Sequence, residues 1–383
     1  MIPFSHRLDW AARPNALALL VDELRARGAP LIDLTETNPT AVGLSYPDDL
    51  LARLTDPHSL RYSPHPRGLP EARRAIADSF SLLNPERLLV TASTSEAYGF
   101  LFKLLCDPGD EVLVPQPSYP LLDFLAALET VRLTPYPLRY DGIWHIDFAA
   151  LAQTVTPRSR AILLVNPNNP TGSFLKRQER RQLRELATRH GLALISDEVF
   201  ADYPFGDDPE RVVSLCDETE ALTFCLSGLS KGVGLPQLKL GWIHTSGPAE
   251  EVARALDRLE LIADTYLSVA TPVQYAARSL LPLRTSVGRE LADRVSRHRR
   301  WLDEALRGSA IDLLPAEGGW YAILRVPRVR SEEEWALELA RAGVLVQPGY
   351  FFDFVEEAYL VISLIVPTAT LEAGVGRILA ATG

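Results

Sequence analysis

The chain has 383 residues, 47% of them hydrophobic, enough for a large domain plus a smaller one with substantial cores, which excludes a disordered chain. Its formal charge of −10 and pI near 5.3 exclude a sequence-independent nucleic-acid binder, which needs a basic face to neutralise phosphates. Cys106, Cys216 and Cys225 form no CxxC pair, so their spacing points to neither a disulfide framework nor a zinc site.

Residues 15–27 have helical spacing, with Leu17, Leu20, Val21 and Leu24 on one face. Pro30–Leu34 is a short expected strand leading to the loop Thr35-Glu36-Thr37-Asn38-Pro39, and Pro70 opens a helix. From about residue 85 short apolar strands alternate with helical patterns. The expected strands are Leu88–Thr91, Glu111–Pro115, Val131–Tyr136, Ala161–Asn166, Ala193–Asp197, Thr223–Leu226 and Gly241–Thr245, with helices at 95–105, 176–190 and 248–262 among the connections. This order predicts an α/β fold with a mostly parallel seven-stranded sheet. A helical region at 287–307 leads to expected strands at Ile311–Leu314, Trp320–Val326 and Tyr359–Ile365 and a helix near 332–342, a smaller α+β domain. The expected division is 1–44 as an N-terminal arm joined to the small domain, 45–285 as the large domain and 286–383 as the small one. Met1–Arg7 lacks the charged-then-apolar order of a secretory signal and no apolar run reaches spanning length, so a cytoplasmic location is expected.

The chemistry centres on Thr223–Trp242. Only four lysines occur, Lys103, Lys176, Lys231 and Lys239, against a Lys+Arg total of 39. An arginine stays charged near neutral pH, whereas a desolvated lysine can become a free amine able to form a Schiff base. Lys231 follows an apolar strand in a small-residue turn, which makes it the candidate nucleophile. Asn166-Pro167-Asn168-Asn169-Pro170-Thr171-Gly172 and Asp197-Glu198 each follow other strands. Ligands in an open α/β sheet bind beyond the carboxyl ends of strands, so the three segments are expected to converge.

Together, the NPTG loop, the Asp-Glu pair, the Ser-Lys turn and the GLPxxKxGW tail resemble the class I/II aminotransferases, fold type I enzymes that use pyridoxal 5′-phosphate. The resemblance runs from Asn38-Pro39 to Pro348-Gly349. It implies that Lys231 carries the cofactor as a Schiff base and later moves the substrate proton, and that Asp197 pairs with the protonated pyridine nitrogen. It further implies that Asn169 donates to the phenolic O3′ and that Tyr119 stacks on the ring. Ser93, Thr94, Ser95 and Ser230 are expected at the phosphate, where backbone N–H groups at a helix start favour an anion. Lys239 stands at the place of a phosphate-binding arginine, without the bidentate fork. Tyr62 is similar to the tyrosine that reaches the neighbouring subunit's phosphate, which implies a homodimer. The implied reaction moves an amino group between an amino acid donor and a 2-oxo acid acceptor.

The chain also departs from the pattern. Phe200 replaces a tyrosine that donates to O3′, with Tyr203 as the candidate substitute, and Gly228 replaces a hydroxyl residue at the phosphate, leaving Ser230 and Ser227 to serve. Val361 stands where the family has the arginine that holds the substrate carboxylate, and Thr37 replaces a nearby glycine. Arg325 and Arg67 are candidates for the missing cation, and the alternative is a substrate without an ordinary α-carboxylate. A lyase, decarboxylase or cyclase on the same fold is therefore an alternative to transamination.

A more distant alternative is a serine hydrolase, since Gly228-Leu229-Ser230-Lys231-Gly232 matches GxSxG. It would need partners such as Asp264 and His298, and it leaves the NPTG loop and Asp197 without a role. Gly232-Val233-Gly234 lacks the third glycine of a dinucleotide site. Retention of Lys231 and Asp197 favours an enzyme over a sensor module.

Overall fold

The computed structural model describes residues 2–9, 13–81, 83–356 and 358–382. All seven expected strands form, and they lie in one eight-stranded sheet. Its order is Leu88–Thr91, Gly241–Ser246, Thr223–Gly228, Ala193–Asp197, Ser159–Val165, Glu111–Gln116, Arg132–Tyr140 and Trp144–Ile146. The added strand, Trp144–Ile146, folds back antiparallel on Arg132–Tyr140, pairing Leu138 with Ile146 and Tyr140 with Trp144. It is too short to give a periodic signal, which is why the sequence pattern shows only seven. Gly241–Ser246 is antiparallel to both neighbours, while Ala193–Asp197 runs parallel to Ser159–Val165 and to Thr223–Gly228. The carboxyl ends at Thr91, Gln116, Val165, Asp197 and Gly228 therefore share one edge with the start of Gly241–Ser246.

Both faces of the sheet are covered, so its strands are apolar throughout rather than alternating with polar residues. On one face Ile195, Phe224 and Leu226 pack with Ala97, Leu101 and Leu259 from the helices Thr94–Leu105 and Ala249–Tyr266. Leu194, Leu164 and Cys225 face the other way, against Leu183, Leu186 and Ala187 of the helix Arg177–His190. That helix stops at Gly191, which takes the left-handed φ of 64° at the cap position where glycine is strain-free.

A third core joins the helices Pro70–Ser79 and Thr271–Leu280 through Ile76, Ala277 and Leu280. The rest of the chain packs around a four-stranded antiparallel sheet of Asp312–Leu313, Tyr321–Arg325, Tyr359–Ser363 and Gln347–Pro348. The N-terminal helix Ala16–Ala26 contributes Leu17 and Val21 to this core, and Ile32–Asp33 pairs in parallel with Val344–Leu345. Among the described residues no helix is long and apolar enough to cross a membrane.

Two close backbone approaches fix where the loops of the sheet edge lie. Gly172, at φ 69°, ends the Asn166–Gly172 loop, and a Cβ there would lie 2.4 Å from the carbonyl oxygen of Gly318. Glu317 seals the same contact, its N–H donating to Gly172 at 3.0 Å and its carboxylate accepting from the N–H of Phe174 at 3.0 Å. Gly172→Ala combines a left-handed φ with a backbone clash, so it should lower unfolding stability by about 3 kcal/mol in denaturant titrations.

Candidate active site

Lys231 lies in the one-turn helix Leu229–Gly232, directly beyond the strand Thr223–Gly228. Tyr203, fully buried, donates its hydroxyl to the backbone carbonyl of Lys231 at 2.5 Å and fixes the turn from below. The lysine Nζ stands 4.7 Å from the ring centre of Trp320 and 5.6 Å from that of Phe200. Trp320 and Phe200 themselves meet edge to face at 5.4 Å. An ammonium loses hydration among such groups, so desolvation brings the Lys231 pKa down to about 8, opposed by the charge of Asp197.

Asp197 ends its strand with its carboxylate buried on the same face. Tyr98 donates to one oxygen at 2.7 Å and the N–H of Val199 to the other at 3.1 Å. Burial raises the Asp197 pKa, while Tyr98, Val199 and Lys231 pull it down. Carbonyl and amide contacts tie it to the next loop, because Asn166 donates its N–H to the Asp197 carbonyl at 2.8 Å. Asn168 closes that loop by accepting from the hydroxyl of Thr171 at 2.9 Å. Asn169 is buried beside it, and its Oδ1 has no partner.

Tyr321 completes the enclosure. Burial pushes the pKa of its hydroxyl up, with Tyr119 adding to the rise, while the neighbouring polar side chains of Thr37 and Asn169 pull it down. Tyr119 itself is 43% exposed at the mouth of the site.

The helix Thr94–Leu105 begins at the same edge, with the Ser93 hydroxyl capping the N–H of Glu96 at 3.2 Å. Gly241 lies against it: a Cβ on Gly241 would meet the Ser93 carbonyl carbon at 3.2 Å. A Cβ on Gly228 would meet the Leu240 oxygen at 2.8 Å and the Gly241 Cα at 3.0 Å. That contact accounts for Gly228, because a hydroxyl side chain has no room there. Ser227 does not substitute for it, since Ser227 lines a cavity with Glu198 and Cys225 on the opposite face of the sheet. Ser230 sits one residue before Lys231, partly buried, and Lys239 is exposed at a left-handed φ of 51°.

The Thr94–Leu105 helix start, the Lys231 turn, Asp197 and the Asn166–Gly172 loop thus meet at one edge of one sheet. The match to the family described as aminotransferase class I and II covers residues 28–378. The chain belongs to the class I and II aminotransferases. The LL-diaminopimelate aminotransferase of Dehalococcoides mccartyi is 28% identical over 94% of this chain and 93% of its own. The glutamate-pyruvate aminotransferase AlaA of Escherichia coli K12 is 28% identical over 67% of this chain, and the match spans 65% of AlaA. Among solved structures, the alanine aminotransferase of Pyrococcus furiosus superposes with a TM-score of 0.88 at 24% identity, covering 99% of both chains, a likeness of fold.

Class I and II aminotransferases use pyridoxal 5′-phosphate, and this site suits that group. Asp197 offers a buried anion to a cationic ring nitrogen, and Lys231 offers a desolvated amine to the aldehyde carbon. At the other end, the first turn of Thr94–Leu105 presents N–H groups without intrahelical partners.

Several sequence expectations land elsewhere. Arg325 is bonded to Asp312 at 2.6 Å at the outer side of the small sheet, and Arg67 donates to the carbonyl of Glu86, so neither supplies a cation to the Lys231 pocket. Tyr203 spends its hydroxyl on the Lys231 carbonyl and does not substitute for the tyrosine that Phe200 replaces. Val361 is fully buried between Ile323 and Gln347. The hydrolase arrangement fails as well. Both His298 nitrogens are engaged within the small-domain core, with Leu364 at 2.8 Å and Thr368 at 2.9 Å, and Asp264 is exposed on Ala249–Tyr266. Tyr62 is 79% exposed in the single chain.

Tyr98, Tyr321 and Trp320 escaped the sequence reading. Tyr98 could have been found, because it lies four residues after Thr94 and so on the same helix face, one turn further from the helix start. Tyr321 and Trp320 could not, since they arrive from a remote strand.

Two outcomes are expected. Tyr98→Phe removes a donor to the Asp197 carboxylate, so the acid limb of the pH–rate profile should move upward while far-ultraviolet circular dichroism stays unchanged. Cofactor attachment to cofactor-free protein should speed up as pH rises through about 8, where Lys231 loses its proton, and level off above that. A rise continuing toward the ordinary lysine pKa near 10.5 would contradict the desolvated environment of the amine.

Proposed function

We propose that the protein is a pyridoxal 5′-phosphate-dependent aminotransferase that moves an amino group from an amino acid to a 2-oxo acid. The observation that carries this reading is the desolvated Lys231 amine facing the buried Asp197 carboxylate at the carboxyl edge of the sheet. When bound, the cofactor supplies an electron-withdrawing ring that stabilises negative charge on the substrate carbon next to nitrogen. The Asp197 carboxylate, oriented by Tyr98, would hold the ring nitrogen in its protonated form. Lys231 Nζ would hold the cofactor at rest and, once released, would take the proton from the substrate carbon and deliver it to the carbon on the other side of the nitrogen. Asn169 would orient the phenolic oxygen, Tyr119 would cover the ring, and Ser93, Thr94, Ser95, Ser230 and Lys239 would hold the phosphate.

On the substrate side, Thr37 and Asn169 both act on the Tyr321 hydroxyl, and these neutral polar groups take the place of the family's arginine at Val361. Such a pocket favours a substrate held by hydrogen bonds and aromatic contact. Trp320 and Phe200 form its floor.

We further assign residues 45–285 to a large cofactor domain and 286–383, with residues 1–44, to a small domain that covers the site. The shared core of Leu17, Val21 and Leu34 with Leu339, Val344 and Leu371 supports the second grouping. The exposed Tyr62 is the residue we place against the phosphate of a second copy, in a homodimer. Three free cysteines fit a cytoplasmic setting.

The test is a half-reaction. Adding an amino donor to holoenzyme should shift the visible cofactor band to the shorter wavelength of the aminated cofactor and release one oxo acid per site. Release of ammonia or carbon dioxide without that shift would overturn transamination. Lys231→Ala should abolish the band of the lysine-bound cofactor, whereas unchanged absorbance would overturn the assignment of Lys231.

A further inference from the structure

The reverse face of the sheet carries a second cluster of reactive side chains. Side chains alternate along a strand, so Asp197 points toward Tyr98 and Lys231 while its neighbours Ser196 and Glu198 point away. Cys225, opposite Ser196 in register, shares that reverse face. The chain returns beneath it at Val212–Cys216, and this segment delivers Cys216. The carboxylate of Glu198 and the sulfurs of Cys216 and Cys225 lie within 4.8 Å of one another, and all three residues are buried.

Glu198 is held in place by its neighbours. Ser196 donates its hydroxyl to Oε1 at 2.9 Å and the N–H of Leu215 donates to the same oxygen at 2.9 Å. The cluster borders a cavity of about 440 Å³, also lined by Ser227, Trp242 and the paired Asp202 and Arg284. Two sulfurs and one carboxylate therefore converge beside open space, with their positions set by a sheet and a bonded loop.

We propose that Glu198, Cys216 and Cys225 bind one thiophilic divalent cation of the Zn²⁺ class, with the fourth coordination position open to the cavity. Sulfur donors select such ions over Mg²⁺ or Ca²⁺, which take oxygen ligands. The geometry is close to what the ion needs, since a Zn–S bond of about 2.3 Å in a tetrahedron sets sulfurs roughly 3.8 Å apart. Separations of at most 4.8 Å close to that value with a shift on the order of 1 Å. Binding releases the two thiol protons, and the dication with two thiolates and a carboxylate carries the same net charge as ionised Glu198 alone. Cysteine spacing in the sequence gave no sign of this, because Cys216 and Cys225 come together only where the segment Val212–Cys216 folds under that face of the sheet.

The test uses reduced holoenzyme, freed of metal by a chelator and then exchanged into plain buffer. Titration with Cd²⁺ should produce a saturable ultraviolet thiolate-to-metal absorption at one equivalent per chain, reversed competitively by Zn²⁺. The double variant Cys216→Ser with Cys225→Ser should lose that band, and Glu198→Gln, which keeps both sulfurs, should weaken binding by roughly tenfold or more. No saturable band in the wild-type protein, or the same band in the double variant, would overturn the proposal. If the double variant does not fold, Glu198→Gln decides alone, and an unchanged affinity there is equally fatal.

Discussion

Everything in this site depends on one constraint: an amine and a carboxylate are held facing each other where water is scarce. Lys231 is drawn toward neutrality by desolvation, and Asp197 toward protonation by the same cause. Each group counters the shift of the other through its charge. The protein maintains this state with uncharged donors, Tyr98 and the Val199 N–H on the carboxylate and Tyr203 on the lysine backbone. Aromatic faces at Trp320 and Phe200 exclude water without offering the amine a competing anion. The result is a lysine that can exchange its proton near neutral pH and an acid positioned to receive a cation.

The sheet explains how such a pair can be assembled. Parallel strands end together, so Val165, Asp197 and Gly228 bring a loop, a carboxylate and a lysine turn to one edge without long connections. Close packing then removes the remaining freedom. Gly228 and Gly241 approach within a distance that leaves no room for a side chain, and Gly172 meets Gly318 in the same way. These contacts couple the sheet edge to the strand region that supplies Trp320 and Tyr321, so cofactor-side and substrate-side residues are set by one another. The same strand alternation separates two chemistries: Asp197 serves one face, while Glu198 joins two cysteines on the other.

Departures from the family pattern acquire physical reasons at this level. A hydroxyl side chain at position 228 would collide with the backbone at Leu240 and Gly241. Phe200 is part of an aromatic cluster with Trp320 and Tyr321, edge to face with both. Val361 fills a fully buried position in the small sheet, and the polar atoms near Asn169 come from Tyr321 and Thr37 instead.

The sequence by itself determined the seven main strands, the α/β class and the convergence of Asn169, Asp197 and Lys231, because strand ends are marked by local turn residues and the sheet brings its ends to one edge. It also determined most helices, through apolar spacing and the helix-opening Pro70. The short strand Trp144–Ile146 was invisible, since three residues carry no periodicity. Only the tertiary structure decided the partners of the buried groups: Tyr98 on Asp197, Tyr203 on Lys231, Tyr321 beside Asn169, and Cys216 beside Cys225. Hydrogen bonds between residues 99 positions apart, as in Tyr98 and Asp197, depend on packing across the sheet, and no local pattern in the chain encodes them.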